Sequence, residues 1–392
     1  MTRSLLIAVS ILASVLGDRS AADDWNSFRG DAALSGVAKP GTPVELDERW
    51  SLPAPDGVES TAAIAGGRVY AATLDGRVLC VDAGTGDVLW TYVTDADGDG
   101  PNAFRPGFQS SPCVDAESGS LFVGDEDGYL HVIDLKTGDR RWLFETLGEI
   151  ISSPTVVTRD GGHTVLFGSY DNVLYALDAA GGEELWQAET LGYVHCTPAV
   201  ATDPDAPSGR VTFIAGCDET LRVLDVGTGE ERLAVPLGTY LISSPAVFKN
   251  FLYLGTYQGE TLAVDWKSGE IAWRSKPEGG KSLPMHSSAA VTDDVVIIGG
   301  RDKLVRCHDR QTGNIRWTAE TRGRVDSSPA VAGDRVYVGS SDRKLYTLDL
   351  ASGDVLDATD VGRPVTASPA VADGLLVIGT SGSNGKVIAF GK

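Results

Sequence analysis

An aspartate returns along this chain at Asp82, Asp134, Asp178, Asp225, Asp265, Asp309 and Asp349, each time closing an apolar run and preceding a turn glycine. Four residues after that glycine stands a tryptophan at Trp90, Trp142, Trp186, Trp273 and Trp317, with Leu233 and Asp357 at the same place in two copies. A unit of roughly 44 residues cannot bury its apolar face alone, so it must stack against its copies, and that period falls in the range of propeller blades. In the fifth copy the runs LISSPAV, FLYLGTY, TLAVDW and EIAWRS alternate apolar with small or polar residues, the period of half-buried strands. Lys249-Asn250, Gln258-Gly259 and Ser268-Gly269 mark three hairpin turns between them. Each copy therefore predicts four antiparallel strands.

A small hydroxyl residue of the first strand recurs eight times, at Thr61, Ser111, Ser153, Thr197, Ser244, Ser288, Ser328 and Ser368. The eighth copy stops at Phe390, one strand short, and Val44 to Leu52, carrying Trp50, reads as that missing fourth strand. The expectation is an all-β, eight-bladed β-propeller over residues 44–392, with the ring closed by an N-terminal strand that removes the exposed edge. Ahead of it, residues 1–22 read as a signal peptide: Arg3 precedes the apolar run Leu5–Leu16, and Ser20-Ala21-Ala22 offers small residues for cleavage near Ala22. An uncleaved anchor is the alternative. Residues 23–43 form an N-terminal arm. The exported chain is expected to be periplasmic or secreted and monomeric, and not an integral membrane protein, since no later segment has the length of a spanning helix. A formal charge of −21 argues against nucleic acid, whose phosphates demand clustered Lys and Arg.

The arm carries Trp25-Asn26-Ser27-Phe28-Arg29-Gly30, and the repeats take the form Val81-Asp82-Ala83-Gly84-Thr85-Gly86 to Trp90. This combination resembles the secreted PQQ-like repeat propellers, a group that includes quinoprotein dehydrogenases and the BamB lipoprotein of outer-membrane barrel assembly. The resemblance covers nearly the whole mature chain and implies a binding or assembly scaffold with a protein partner in the cell envelope, without catalytic activity. The alternatives it carries are a PQQ-dependent dehydrogenase and a small-ligand or sugar-binding propeller. A dehydrogenase of this group would bring an adjacent cysteine pair beside the quinone and a Glu, Asn and Asp set for calcium. Here Cys80, Cys113, Cys196, Cys217 and Cys307 are scattered, so PQQ is not expected as a cofactor.

Two further motifs bear on chemistry. Asp95, Asp97 and Asp99, with Gly100, reproduce the first half of an EF-hand loop, but Pro106 stands where the bidentate glutamate belongs. That string is a weak calcium candidate or a plain solvated loop. Just before the hydroxyl position the eight copies differ: Glu59, Gln109, Ile151, His195, Ile242, His286, Asp326 and Thr366. Such a ring either lines a watery channel or forms a binding site, with His286 and Asp326 close enough to touch and His195 too far from His286 to share a metal. Repeat spacing is also broken twice, by insertions between Asp82 and Ser111 and between Asp265 and Ser288, both over the rim that carries this ring. Finally, two-residue hairpin register sets Ser243 opposite Thr256, and the same arithmetic sets Cys196 opposite Cys217. The pair forms a disulfide in an oxidising compartment, or stays as two thiols if the longer 202–210 loop shifts the register.

Overall fold

The computed structural model describes residues 24–39, 43–96, 104–276 and 283–392. Residues 1–23, with the signal peptide and its cleavage position, lie outside that set, as do Asp97 and Asp99. Among the described residues, thirty-two strands form eight four-stranded antiparallel sheets. Seven blades are contiguous in sequence: 63–93, 113–145, 155–189, 199–236, 246–275, 290–320 and 330–360. The eighth combines 370–391 with the strand Glu48–Ala54, which pairs with Gly385–Gly391 and sets Trp50 opposite Ala389. This is the expected eight-bladed propeller, closed by an N-terminal strand.

Burial along each blade explains the sequence pattern. The second strands are buried along most of their length, and Ser120–Gly124 and Val295–Gly299 at every residue, because neighbouring blades cover both faces. Fourth strands, such as Val88–Val93, alternate because their outer face meets water. The closing strand begins later than its apolar pattern suggested. Val44 is held instead by blade 7, where the Tyr337 hydroxyl accepts the Val44 N–H at 2.7 Å and donates to its carbonyl at 2.8 Å.

Two repeated devices join the outer parts of the blades. Each third-strand aspartate folds its own turn: Asp82 Oδ1 accepts the N–H groups of Gly84 and Thr85 at 3.0 and 2.9 Å, and the other six aspartates do likewise. Each closing tryptophan reaches that turn in the next blade. Trp273 donates its indole N–H to Arg310 O at 3.0 Å and Trp317 to Leu350 O at 2.9 Å, and Trp50 links blade 8 to blade 1 through Ala83 O at 3.1 Å. The ring stacks on the turn glycine so closely that a Cβ on Gly313 would come within 2.5 Å of Trp273.

The fourth copy corrects the cysteine expectation. Seven residues, not two, separate Thr202 from its partner Arg210, and Ala199 lies opposite Phe213. Continued inward, that register places Gly216 across from Cys196, one residue short of Cys217. A one-residue slip sends neighbouring side chains to opposite faces. Both thiols are free. Cys196 Sγ instead accepts the Ala215 N–H at 3.3 Å, the role that Ser243 Oγ plays for Gly255 at 3.0 Å and Ser327 Oγ for Gly339 at 3.1 Å.

Trp50→Ala removes the bond and the stack that join the last blade to the first, and is expected to cost about 3 kcal/mol in urea unfolding. An unchanged midpoint would show that the ring is not closed through this side chain. Non-reducing peptide mapping of the air-oxidised protein is expected to recover Cys196 and Cys217 on separate peptides.

Candidate functional site

The first strand of every blade starts at the central axis, so the residues just ahead of it must converge there. The inner wall is knitted by the recurrent hydroxyls: seven of the eight, all but Thr61, accept the N–H of their counterpart in the preceding blade. Ser111 Oγ takes the Thr61 N–H at 2.9 Å, Ser153 takes that of Ser111 at 3.0 Å, and Thr197 takes that of Ser153 at 3.2 Å. The same bond, at 2.9–3.0 Å, runs on through Ser244, Ser288, Ser328 and Ser368. These groups are buried, and the bonds they make are those that a buried N–H requires.

Above this belt lies a cup of about 290 Å³ lined by all eight variable residues: Glu59, Gln109, Ile151, His195, Ile242, His286, Asp326 and Thr366. His286 and Asp326 do not bond directly. Arg301 stands between them, its Nε 2.7 Å from Asp326 Oδ1 and its Nη2 3.3 Å from His286 Nδ1, while Arg324 Nε holds the other carboxylate oxygen at 3.1 Å. His195 has a separate partner, the Tyr170 hydroxyl at 2.6 Å from Nδ1. Gln109 Nε2 donates to Glu126 Oε1 at 2.9 Å. Burial, reinforced by His286, lowers the His195 pKa to about 4. Burial and then Arg301 lower that of His286, whereas burial followed by Glu126 and Asp326 raises that of Glu59.

The arm closes the far end of the channel. Its backbone passes from blade to blade, accepting the N–H of a first-strand residue in six of them. Trp25 O takes the Ile64 N–H at 2.8 Å, Asn26 O that of Val114 at 2.7 Å and Ala32 O that of Val200 at 2.7 Å. Ala33, Ser35 and Gly36 serve Val247, Val291 and Val331 at 2.8–2.9 Å. Phe28 forms part of the cup lining. Arg29, fully buried, donates to the carbonyls of Ala289 and Pro329 in blades 6 and 7, and burial lowers its pKa to about 9. Gly36 leaves room for this guanidinium, since a Cβ there would fall 1.9 Å from Nη2. The Trp-x-x-Phe-Arg-Gly motif is thus a plug, and the cup is blind.

Sequence reasoning missed Phe28, Arg301 and Arg324 as lining residues. Arg301 occupies the turn position held by Glu126, Tyr170, Cys217 and Tyr257 in other blades, a second variable ring that repeat alignment exposes. Asp95, from the acidic string, is paired with Arg140 at 2.6 Å.

The family model described as outer membrane protein assembly factor BamB, of PQQ-like repeats, matches residues 37–189, 170–305 and 258–391. The chain belongs to this family. It is 26% identical over 297 residues to an outer membrane protein assembly factor BamB of Xanthomonas campestris pv. campestris, covering 72% of this chain and 70% of that one. The crystal structure of BamB from Moraxella catarrhalis superposes with a TM-score of 0.71 at 18% identity, over 89% of this chain and 100% of the other. Quinohemoprotein alcohol dehydrogenase from Comamonas testosteroni superposes with a TM-score of 0.77 at 15% identity, over 95% and 81%. At such identities the two structures speak for the fold alone. In this BamB-family propeller no cysteine is among the cup residues, and among the described residues no three His, Cys, Asp or Glu side chains converge to hold a metal ion. The cup does not fit a quinone with its calcium.

His195 gives the cup a pH signature. Its native pKa lies below the ordinary 6.5, so the unfolded chain takes up a proton first as pH falls. Stability present above pH 6.5 is expected to be lost progressively toward pH 4. His195→Gln should lose less across that window when urea midpoints are compared at several pH values; an identical pH dependence in the two proteins would contradict the assignment.

Proposed function

We propose that this BamB-family propeller is an exported, non-catalytic scaffold that holds a protein partner in the cell envelope, and that the partner sits on the face around the cup. The observation that carries this reading is an arc of exposed apolar side chains on that face. Leu147 and Leu191, at one repeat position in successive blades, are 95% and 90% exposed. Tyr193 and Tyr240 follow at a second position, with Tyr257 and Leu283 beyond, all exposed. The tyrosines are ordered by one another: Tyr170 and Tyr193 stack with centroids 4.6 Å apart, and Tyr240 meets Tyr257 edge to face at 6.3 Å.

Leucines left almost wholly in water contribute nothing to folding, and burying one fully against a partner is worth about 1.5–3 kcal/mol. Tyrosine offers a large, stiff contact surface with a polar end, which is why it is frequent at binding hot spots. The relatives named for outer-membrane assembly support a partner within that machinery, and the expected leader at residues 1–22 supports export.

Leu191→Glu combined with Tyr240→Glu is expected to abolish cross-linked capture of the envelope partner while leaving the melting temperature within a degree or two, since both positions are exposed. Full capture by this variant, or dye-linked alcohol oxidation by the wild-type protein supplied with PQQ and calcium, would overturn the reading.

A further inference from the structure

The same face changes character over blades 6–8. The repeat position that holds Leu147 and Leu191 holds Arg322, and the one that holds Tyr193 and Tyr240 holds Arg324. Lys303 and Arg343 occupy the turn position filled by Gly128, Asn172 and Gly259 in other blades, and Arg363 lies in the next link. All five are exposed. In a chain of net charge −21 this is a concentration of one sign where the average is the other.

Neutralisation within the fold does not account for these cations. Arg324 is paired with Asp326, but the side chains of Lys303, Arg322, Arg343 and Arg363 make no ion pair or hydrogen bond among the described residues. The carboxylates nearby are committed: Asp302 to Arg306, Asp326 to Arg301 and Arg324, and Asp342 to the Tyr346 hydroxyl and the Arg322 and Lys344 N–H groups. Glu320 and Asp360 end their fourth strands beside this sector, opposite Leu304 and Lys344, and among the described residues neither forms an ion pair with Lys303 or Arg343.

Backbone strain gives an independent indication. Lys303 and Arg343 each have φ of +74°, at a position where Gly128 and Gly259 have +89° and +76° and where Asn172 and Glu219 are also positive, at +74° and +62°. A residue with a Cβ pays about 1 kcal/mol or more there, so a long cation is present against the local preference of the chain. Strain of this kind collects at functional positions.

We propose that this cationic sector binds an acidic, extended segment of the protein partner whose apolar part rests on the Leu–Tyr arc. This rests on the scaffold reading above and adds the chemistry of the partner. An anionic membrane fits less well: the exposed large apolar residues of blades 6–8, Ile315, Val355 and Leu356, lie on fourth strands rather than on this face, so nothing here would enter a bilayer.

The test uses the full mature chain and a fluorescent Glu- and Asp-rich peptide without apolar residues, followed by anisotropy. Binding is expected at about 0.05 M salt and should fade toward about 0.5 M, as exposed charges are screened. The double variant Lys303→Gly, Arg343→Gly should bind about tenfold or more weakly while melting no lower than the parent, because glycine relieves both turns. Lys136→Glu, on the opposite face, should bind the peptide as the parent does. Peptide binding that survives the glycine variant, or that the parent lacks, overturns the proposal, as does uptake of phosphatidylglycerol vesicles in place of the peptide. The arc variant Leu191→Glu, Tyr240→Glu is expected to keep the peptide, so loss of partner capture there and loss of peptide here report on separate readings.

Discussion

The ring depends on a hydroxyl belt around its axis. Just ahead of the first strand in seven of the eight blades stands a backbone N–H for which the Ser or Thr of the next blade supplies the acceptor. A buried donor left unpaired costs about 1–3 kcal/mol, so every link favours having the next blade in place. The belt has seven such links; the last blade meets the first instead through Trp50 and Ala83 and through Val58 and Thr380. The tryptophans repeat the arrangement at larger radius, where an indole N–H and a ring face meet the Asp-Gly turn of the following blade. Inner bonds fix the approach of blades and outer stacking fixes their angle.

Closing the channel is the work of the arm, and it uses the same currency of backbone donors. Six first strands present a further N–H toward the axis, and one peptide segment wound past them satisfies all six. Arg29 then spans to two more carbonyls on blades 6 and 7. The Trp-x-x-Phe-Arg-Gly motif therefore has a direct physical meaning: it converts a through-channel into a blind cup whose wall carries one freely chosen residue per blade.

Uniform scaffolding leaves function to the positions that scaffolding does not use. The aspartates, turn glycines, hydroxyls and tryptophans are spent on joining blades, and they vary little from copy to copy. The link and turn positions on the cup face carry no such duty, and there the copies diverge into a Tyr–Leu arc over blades 2–5 and Arg–Lys side chains over blades 6–8. An eightfold frame thus presents an asymmetric surface.

Strand count, blade count, turn chemistry and the identity of the cup ring were legible in the sequence, because each is set by residues close together in the chain and repeated often enough to align. Glu59, Gln109, His195, His286 and Asp326 were found together for that reason. The closing strand was legible too, through Trp50, although Tyr337 rather than strand periodicity decided what becomes of Val44. The register of Cys196 was not, since a seven-residue hairpin has no fixed alignment where a two-residue one does. Nor was the bridge from His286 through Arg301 to Asp326, or the contact of Arg29 with Pro329, three hundred residues further along. Local pattern specifies a blade; only closure of the ring brings the first residues against the last blades, and the partners of the cup's charged groups are settled by that closure.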